Sequence, residues 1–394
     1  MRVAFVSENL PNDIRAFSGT PYFMSRAIRS QVESFDYVHV PMFNWETVFS
    51  NPEKALTALM KTGQLVSKRL KTLAIDIVIC QGTSMIPFLD TEKPIALWHD
   101  STWDCLLQLD FEEFKSCHPL LRDWDQIVFD KCSLVVFAAE WLRDASLLHY
   151  KIQPEKIMVI PFGANLEPRD LHEIDSDIRA RQGKPCQLTF LGIDWVRKGA
   201  SAAYSLLDRL NREGCPATLT VIGSDQLKGG QSDTANLLGL RLRGDRRVAV
   251  EGFLDKERRA DRERLSKILT ETHFLVHPAG FECFGIALVE ANAYGVPVLA
   301  IDRFGPQTII RNEVNGCLFD PGDFVAQASQ FIKGCYSPFD KYQKLARATF
   351  DEYQSRLNWD TSVKHFLDAL KHPLTTSPRP GAGAAPAVKL GCSL

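Results

Sequence analysis

The order of apolar segments along the chain is the feature that most restricts its fold. Short β-branched runs, apolar at consecutive positions, alternate with longer segments of helical character throughout the sequence. Such runs are typical of strands that helices cover on both faces, and their alternation with helices predicts parallel, doubly wound sheets. The predicted strands are residues 2–6, 37–40, 75–80, 95–98, 134–137 and 157–160 in the first half, and 187–191, 218–222, 248–250, 274–277, 298–301 and 317–319 in the second.

A polar stretch rich in Asp, Arg and Gly, residues 167–184, separates the two sets of strands. The chain has 394 residues, and single cores stop growing near about 250–300 residues. We therefore predict two Rossmann-like domains, 1–166 and 185–349, that face each other across a cleft. A last helical stretch, about 350–371, is expected to pack back on the first domain. The Pro-, Gly- and Ala-rich end, 373–394, is expected to be a disordered tail.

Composition narrows the class of protein. A net charge of −2 with 45% hydrophobic and 24% charged residues argues against general disorder and against a dominant nucleic-acid surface. No apolar run approaches the ~18–20 residues that span a membrane, and the chain opens as a strand rather than a secretory signal. We therefore expect a cytoplasmic protein. The ten cysteines include no Cys-x-x-Cys pair, so reduced thiols without a metal are expected.

The segment from Phe274 to Pro297 gives the clearest indication of a ligand-binding site. A strand is predicted to end at His277-Pro278, and a loop leads to Gly285, after which a helix is predicted to run to Gly295. Backbone N–H groups at such a helix start form an anion site that suits a diphosphate. A carboxylate on the helix, Glu290, can accept hydrogen bonds from two neighbouring hydroxyls, such as those of a ribose. Glu282 lies in the loop before the helix, where a sugar attached to the diphosphate would lie.

Glu282 and Glu290, eight residues apart around Phe284-Gly285, resemble the signature of glycosyltransferase family 4, whose members are retaining enzymes with the GT-B fold. Other segments agree in chain order: Ser18–Pro21, Val159–Asn165, Phe190–Gly192 followed by Arg197–Gly199, and Asn315–Gly316. The resemblance implies metal-independent transfer of a hexose from a nucleotide-diphosphate donor to an acceptor hydroxyl, without a cofactor. UDP-sugars are the default donor, and sugar, lipid-linked and small-molecule acceptors all stay open.

The resemblance also implies roles for single residues. Glu282, His99 and Lys198 are the expected catalytic residues, with Lys198 on the diphosphate and His99, or its neighbour Asp100, on the donor sugar. The expected donor-binding set is Gly19, Arg197, Lys198, Gly223, Phe253, Leu254, Glu282, Cys283, Phe284, Gly285, Ile286 and Glu290.

The chain departs from the family pattern in two loops. Ile193 stands where an arginine is usual, and Arg197 is expected to supply that charge. Phe304 and Thr308 lie where two glycines and a glutamate are usual. These departures leave open a non-catalytic nucleotide-sugar binder. The shared scaffold leaves open an epimerase or phosphorylase.

Four further patterns are interpreted in structural terms. His273 and His277 have metal-like spacing but fall on a predicted strand, which favours core and rim positions. Residues 255–267 mix both charge signs and are interpreted as a solvated helix face. The helical stretch with Lys54, Lys61, Lys68, Arg69 and Lys71 fits either a core-facing amphipathic helix or one that contacts a membrane surface. Finally, Thr20 and Pro21 predict the N-cap and first turn of a helix.

Overall fold

The computed structural model describes residues 1–40, 52–106, 112–223 and 233–371. Within these ranges the strands form two six-stranded parallel sheets, in the orders β2-β1-β3-β4-β5-β6 and β12-β11-β10-β7-β8-β9. Every predicted strand is present, which confirms the α/β class with two Rossmann-like sheets. In the part of the chain that the structure describes, no helix has both the length and the apolar character needed to cross a bilayer.

The first sheet is built as the alternation predicts. Its strands are β1 Arg2–Ser7, β2 Ser34–His39, β3 Ile77–Gln81, β4 Ile95–His99, β5 Leu134–Phe137 and β6 Ile157–Val159. The helices between them are α1 Thr20–Gln31, α2 Pro52–Lys71, α3 Trp103–Leu106, α4 Glu112–Lys131 and α5 Glu140–His149. The central strands are buried along their whole length, since β4 and β5 expose none of their residues. This is the burial expected of a sheet covered on both faces.

The second sheet has the same construction. Its strands are β7 Cys186–Leu191, β8 Ala217–Ile222, β9 Val248–Gly252, β10 Phe274–His277, β11 Val298–Ile301 and β12 Gly316–Phe319. The helices are α6 Leu171–Ala180, α7 Ala200–Arg212, α8 Asp233–Gly244, α9 Arg259–Glu271, α10 Ile286–Asn292, α11 Gly305–Ile309, α12 Phe324–Tyr336, α13 Phe339–Arg356 and α14 Trp359–Ala369. The first strand of this half, β7, lies between β8 and β10, so the chain order reverses there and β7/β10 is the topological switch point.

The described chain groups into two compact units, Met1–Ile160 with the residues from Val363 onward, and Pro161–Ser362. The predicted domain limits at 166 and 185 stay a prediction. The polar stretch between them contains α6, which Asp170 caps by accepting a hydrogen bond from the Glu173 N–H at 2.9 Å. In the first unit, Phe366 of α14 stacks on Trp98 with ring centroids 4.8 Å apart. The predicted tail, 373–394, lies outside the described residues.

Two predicted helix ends are wrong in detail. Gly19, with φ 96°, is the N-cap of α1. Thr20 already has helical angles and is the first helical residue, so its side chain does not act as the cap. Helix α10 ends at Asn292 instead of Gly295. A turn follows, in which the Gly295 N–H donates to the Asn292 carbonyl at 3.0 Å.

A buried arginine joins several elements of the second unit. Arg181 is 0% exposed and follows α6. Its guanidinium donates to the carbonyls of Leu269, Thr270, Tyr294 and Gly295 and to the Tyr342 hydroxyl, at 2.8–3.4 Å. Arg181 therefore ties the end of α9 and the turn after α10 to helix α13.

Candidate active site

The Glu282 carboxylate is the centre of a charged cluster in the second unit. Glu282 Oε2 accepts hydrogen bonds from Lys198 Nζ and from His277 Nε2, the latter at 2.9 Å. The side chains of Lys198, His277 and Glu282 are only 13%, 2% and 17% exposed. Two predicted site residues, Lys198 and Glu282, are therefore in direct contact. His277, which sequence reasoning placed at a strand rim, is the third member.

Topology explains why these residues meet. Lys198 follows β7, and His277 and Glu282 lie at and beyond the end of β10, the neighbouring parallel strand. The carboxyl ends of neighbouring parallel strands meet at one edge of a sheet, and ligands of such sheets bind at the switch point. Gly199, with φ 81°, caps α7. A Cβ at Gly199 would collide with the Pro278 carbonyl, so glycine is needed for the two loops to approach each other.

The charges of this cluster follow from its contacts. Burial raises the pKa of Glu282, but the Lys198 ammonium and the His277 hydrogen bond more than reverse it, so the net pKa lies well below the ordinary value. Burial lowers the pKa of His277, and Glu282 opposes this only in part. At neutral pH the cluster therefore contains an ionised carboxylate, an ammonium and a neutral imidazole that donates from Nε2.

The second motif glutamate has its own lysine. Glu290 lies on α10 with a side chain 4% exposed, and Glu290 Oε1 accepts from Lys256 Nζ. Lys256 Nζ also lies 3.4 Å from the Asn165 carbonyl oxygen. Burial raises the pKa of Glu290, and Lys256 offsets this only in part. Sequence reasoning missed Lys256, because it interpreted 255–267 as a solvated face. That interpretation is wrong for Lys256, which precedes α9 and is 14% exposed.

The helix start between the two glutamates has the predicted form. Gly285, with φ 108°, is the N-cap of α10, a backbone conformation that glycine adopts without strain. Phe284 is buried and packs edge-on against Phe162, with ring centroids 5.3 Å apart. Cys283 and Ile286 are half-buried on either side of the turn. The first N–H groups of a helix have no intrahelical carbonyl, which suits this turn to an anionic group.

The remaining donor-binding candidates of the second unit differ in their surroundings. The Gly223 N–H donates to the Gly252 carbonyl at 2.7 Å, which joins the loops after β8 and β9. Phe253 is 61% exposed and Leu254 is half-buried. Arg197 donates from Nε to Asp194 Oδ2 at 2.9 Å and from Nη1 to the Phe281 carbonyl at 3.4 Å. The Arg197 guanidinium is therefore engaged with the loop backbone and Asp194, beside the cluster.

The two departures from the family pattern also have a structural setting. Ile193 is 56% exposed in the loop after β7. Phe304, with φ 58°, packs edge-on against Phe281 with ring centroids 5.0 Å apart. The Gly305 N–H donates to the Glu282 carbonyl at 3.0 Å, so the Phe304 loop lies against the motif loop. An aromatic side chain thus borders the motif in the loop where two glycines and a glutamate are usual in the family.

The predicted site residues of the first unit are Gly19 and His99. His99 ends β4, is 6% exposed, and lies 5.3 Å from the Phe137 ring. Among the described residues, His99 Nε2 has no hydrogen-bond partner. Burial lowers the pKa of His99 to about 3, so the imidazole is neutral at pH 7 and can bond a hydroxyl. Asp100 is half-buried, and Gly19 is buried in the loop after β1.

The metal-like histidine spacing has a structural explanation. His273 is buried in the core, where its Nδ1 accepts from the Gln187 N–H at 3.0 Å and its Nε2 donates to the Arg181 carbonyl at 3.1 Å. Within the described ranges, no cluster of three or more His, Cys, Asp or Glu side chains has a metal-binding arrangement. Eight cysteines are free thiols outside disulfides: Cys80, Cys105, Cys132, Cys186, Cys215, Cys283, Cys317 and Cys335.

Part of the chain matches the model of a known family. Residues 173–349 match the model of the family described as glycosyl transferases group 1. This segment of the chain is therefore similar to group 1 glycosyl transferases. This segment contains both motif glutamates, Lys198 and Lys256. The match confirms the resemblance to family 4 glycosyltransferases that the motif indicated.

Curated relatives match short parts of the chain. The sucrose synthase of Melioribacter roseus is 32% identical over 99 residues, which is 24% of this chain and 12% of that protein. A probable sucrose-phosphate synthase of Solanum tuberosum is 45% identical over 58 residues, 15% of this chain and 6% of that protein. The chain therefore matches only a small fraction of the length of these relatives.

Solved structures agree over almost the whole chain. Anabaena Alr3699/HepE, crystallised with UDP and glucose, superposes with a TM-score of 0.62 at 18% identity, over 94% of this chain and 100% of its own. The sucrose-phosphate synthase of Thermosynechococcus elongatus gives a TM-score of 0.69 at 14% identity, over 94% and 98%. At such identities the likeness concerns the fold, and it confirms GT-B architecture.

Proposed function

We propose that the protein is a hexosyltransferase that moves a sugar from a nucleotide-diphosphate donor, by default a UDP-sugar, to an acceptor hydroxyl. The observation that carries this proposal is the contact of Lys198 and His277 with Glu282 beside the start of α10. An ionised carboxylate, a cation and a helix start at one sheet edge suit a sugar joined to a diphosphate. The group 1 family match over residues 173–349 supports the same reaction class.

In the proposed reaction, the bond between the anomeric carbon and the diphosphate oxygen breaks while a bond to the acceptor oxygen forms on the same face. The acceptor proton passes to the departing diphosphate oxygen. Lys198 and the N–H groups at the start of α10 stabilise the negative charge that develops there. Glu282 accepts hydrogen bonds from sugar hydroxyls, and Glu290 accepts them from the ribose. The anomeric configuration is retained and no metal ion takes part.

We assign His99 to binding of a hydroxyl of the donor sugar. Its neutral ring, buried at the carboxyl end of β4, presents an Nε2 without a partner among the described residues. A buried polar atom without a partner is costly, and a substrate hydroxyl would satisfy it. His99→Ala is expected to raise the donor KM or lower kcat, and His99→Gln is expected to restore part of the loss because the amide keeps a hydrogen-bonding group.

A second candidate function is a non-catalytic nucleotide-sugar binder. The exposed Ile193 and the Phe304–Phe281 contact favour it, because Ile193 stands where the family has an arginine and Phe304 lies in the loop where the family has two glycines and a glutamate. Tight binding of a nucleotide sugar without turnover on any acceptor would support this candidate over the transferase.

The acceptor side includes a proposed membrane contact through α2. One face of α2 is buried, with Leu59, Val66 and Leu70 in the core of the first unit. The opposite face exposes Lys54, Lys61, Lys68 and Arg69 around Leu65, which is 66% exposed. A basic face with an apolar residue suits an anionic membrane surface. Flotation with phosphatidylglycerol vesicles tests the contact, and equal flotation of the Lys61→Glu/Lys68→Glu variant would contradict it.

The donor is identified by a screen that needs no knowledge of the acceptor. Thermal stabilisation by UDP-, GDP- and ADP-sugars is measured first, followed by release of the nucleotide diphosphate on an acceptor panel. Binding of one nucleotide class, and its loss in Glu290→Gln, is the expected result. If no nucleotide or nucleotide sugar binds the folded protein, the proposed function is wrong.

A further inference from the structure

Lys256 occupies a position that its sequence surroundings do not suggest. It lies between β9 and α9, in a run of charged residues, yet its side chain is only 14% exposed. Its ammonium contacts Glu290 Oε1 and lies 3.4 Å from the Asn165 carbonyl. Lysine stems have many rotamers and strongly hydrated heads, so a lysine held at a buried carboxylate needs a structural reason.

The backbone on both sides of Lys256 is held in place. Arg262 Nη1 donates to the carbonyls of Lys256 and Glu257 at 2.5 and 2.9 Å. The Asp255 carboxylate accepts from the Glu257 N–H at 3.0 Å, and the Asp255 N–H donates to Asp261 Oδ2 at 2.9 Å. Asp255 is 8% exposed. These contacts fix the turn, and the turn directs Lys256 toward α10.

Glu290 needs such a partner in order to act as a ribose acceptor. Its side chain is 4% exposed, and burial of a carboxylate without a partner favours the neutral acid. A protonated carboxyl has become a donor and has lost acceptor capacity. The ionised form can accept one hydroxyl at each oxygen, since both oxygens then act as acceptors alone.

We propose that Lys256 is a positioning residue for donor recognition: it holds the Glu290 carboxylate ionised and oriented so that Glu290 accepts the two ribose hydroxyls of the donor nucleotide. The inference rests on the proposed function, because it takes the ligand of Glu290 to be a ribose. Lys256 contacts one carboxylate oxygen, Oε1, so the second oxygen is left for a hydroxyl, and the ammonium can donate to a hydroxyl that shares Oε1. The site thereby selects ribonucleotides over nucleotides without those hydroxyls.

The test compares a nucleotide with its analogue that lacks both hydroxyls. UDP and 2′,3′-dideoxy-UDP are titrated calorimetrically into the full chain, after GDP and ADP have been checked as alternatives. The variants are Lys256→Met, which removes the charge; Lys256→Gln, which keeps a donor; and Lys256→Arg, which keeps the charge. Lys267→Met on the exposed side of α9 is the matched control. Thermal unfolding of each variant confirms that it is folded.

The wild type is expected to bind UDP at least about tenfold more tightly than the dideoxy analogue, which corresponds to one hydrogen bond with a charged group. Lys256→Met should weaken UDP binding about tenfold and leave the dideoxy analogue within about twofold, so the preference disappears. Lys256→Arg should keep most of the preference for UDP over the dideoxy analogue, and Lys256→Gln should keep only part of it. Lys267→Met should show the same preference as the wild type.

Two outcomes overturn the inference, and they are distinguishable. Equal weakening of UDP and dideoxy-UDP in Lys256→Met and Lys256→Gln, or no weakening, shows that Lys256 does not act through the ribose hydroxyls, while the proposed function stands. If the folded wild type binds none of UDP, GDP and ADP, the proposed function fails and the inference fails with it.

Discussion

Replacing Arg181 by methionine should destabilise the second unit strongly. The guanidinium is fully buried and donates five hydrogen bonds. In the variant, the Leu269 carbonyl still accepts a hydrogen bond from the Thr272 N–H, at 3.3 Å in the wild type. The Tyr342 hydroxyl still donates to the His273 carbonyl, at 3.1 Å. The carbonyls of Thr270, Tyr294 and Gly295 therefore lose the hydrogen bonds that Arg181 donates. Each buried acceptor left without a partner lowers the free energy of unfolding by about 1–3 kcal/mol.

Three such carbonyls correspond to a destabilisation of about 3–9 kcal/mol. We expect about 3–5 kcal/mol, the lower part of that range, because removing a buried charge also removes its desolvation cost. This is a large share of the ~5–15 kcal/mol by which proteins are stable. Urea unfolding measures this destabilisation as a lower urea concentration at the midpoint. Arg179→Met, on the same helix and exposed, should change stability by less than about 0.5 kcal/mol. If Arg181→Met lies within about 1 kcal/mol of the wild type, the hydrogen-bond reasoning is refuted.

The other predictions concern the two glutamates, metal dependence and pH. Glu290→Gln should weaken donor binding about 10–100-fold and Glu282→Gln should lower kcat about a hundredfold with less effect on KM; normal rates and affinities in both would contradict their roles. Sugar transfer should persist in EDTA, and a strict need for a divalent ion would contradict the mechanism. Burial, with Arg181 nearby, lowers the pKa of His273 to about 3, so the unfolded state binds the extra proton below about pH 6.5 and stability falls as pH falls, by about 1.4 kcal/mol per unit. Burial also lowers the pKa of His99 and of His277, so His273→Gln should remove only the part of the slope that His273 contributes, as urea midpoints at pH 5 and 6 would show.

The strands could be predicted from sequence because the physical signal is local. Segments such as Leu134–Phe137 are apolar at every position, and a sheet with helices on both faces requires that. Helix ends were predicted less well, because more than one nearby residue fits each end. Gly19 and Thr20 both suit an N-cap, and the positive φ of Gly19 decides between them. Similarly, Gly295 suits a helix stop, yet α10 ends three residues earlier.

The contact of Lys198 with Glu282 could be predicted because neighbouring strands supply both residues, whereas the contact of Lys256 with Glu290 could not. Lys198 and Glu282 follow β7 and β10, which pair directly at the switch point, so their meeting follows from the topology of a doubly wound sheet. Lys256 follows β9, the edge strand, with β7 and β8 between it and β10. Nothing in local charge patterning separates Lys256 from the exposed Lys267. The difference lies in the turn before α9, which contacts of Arg262 and Asp255 hold in place and which is a tertiary feature. As a result, Glu282 and Glu290 each contact a lysine, and the two lysines follow different strands.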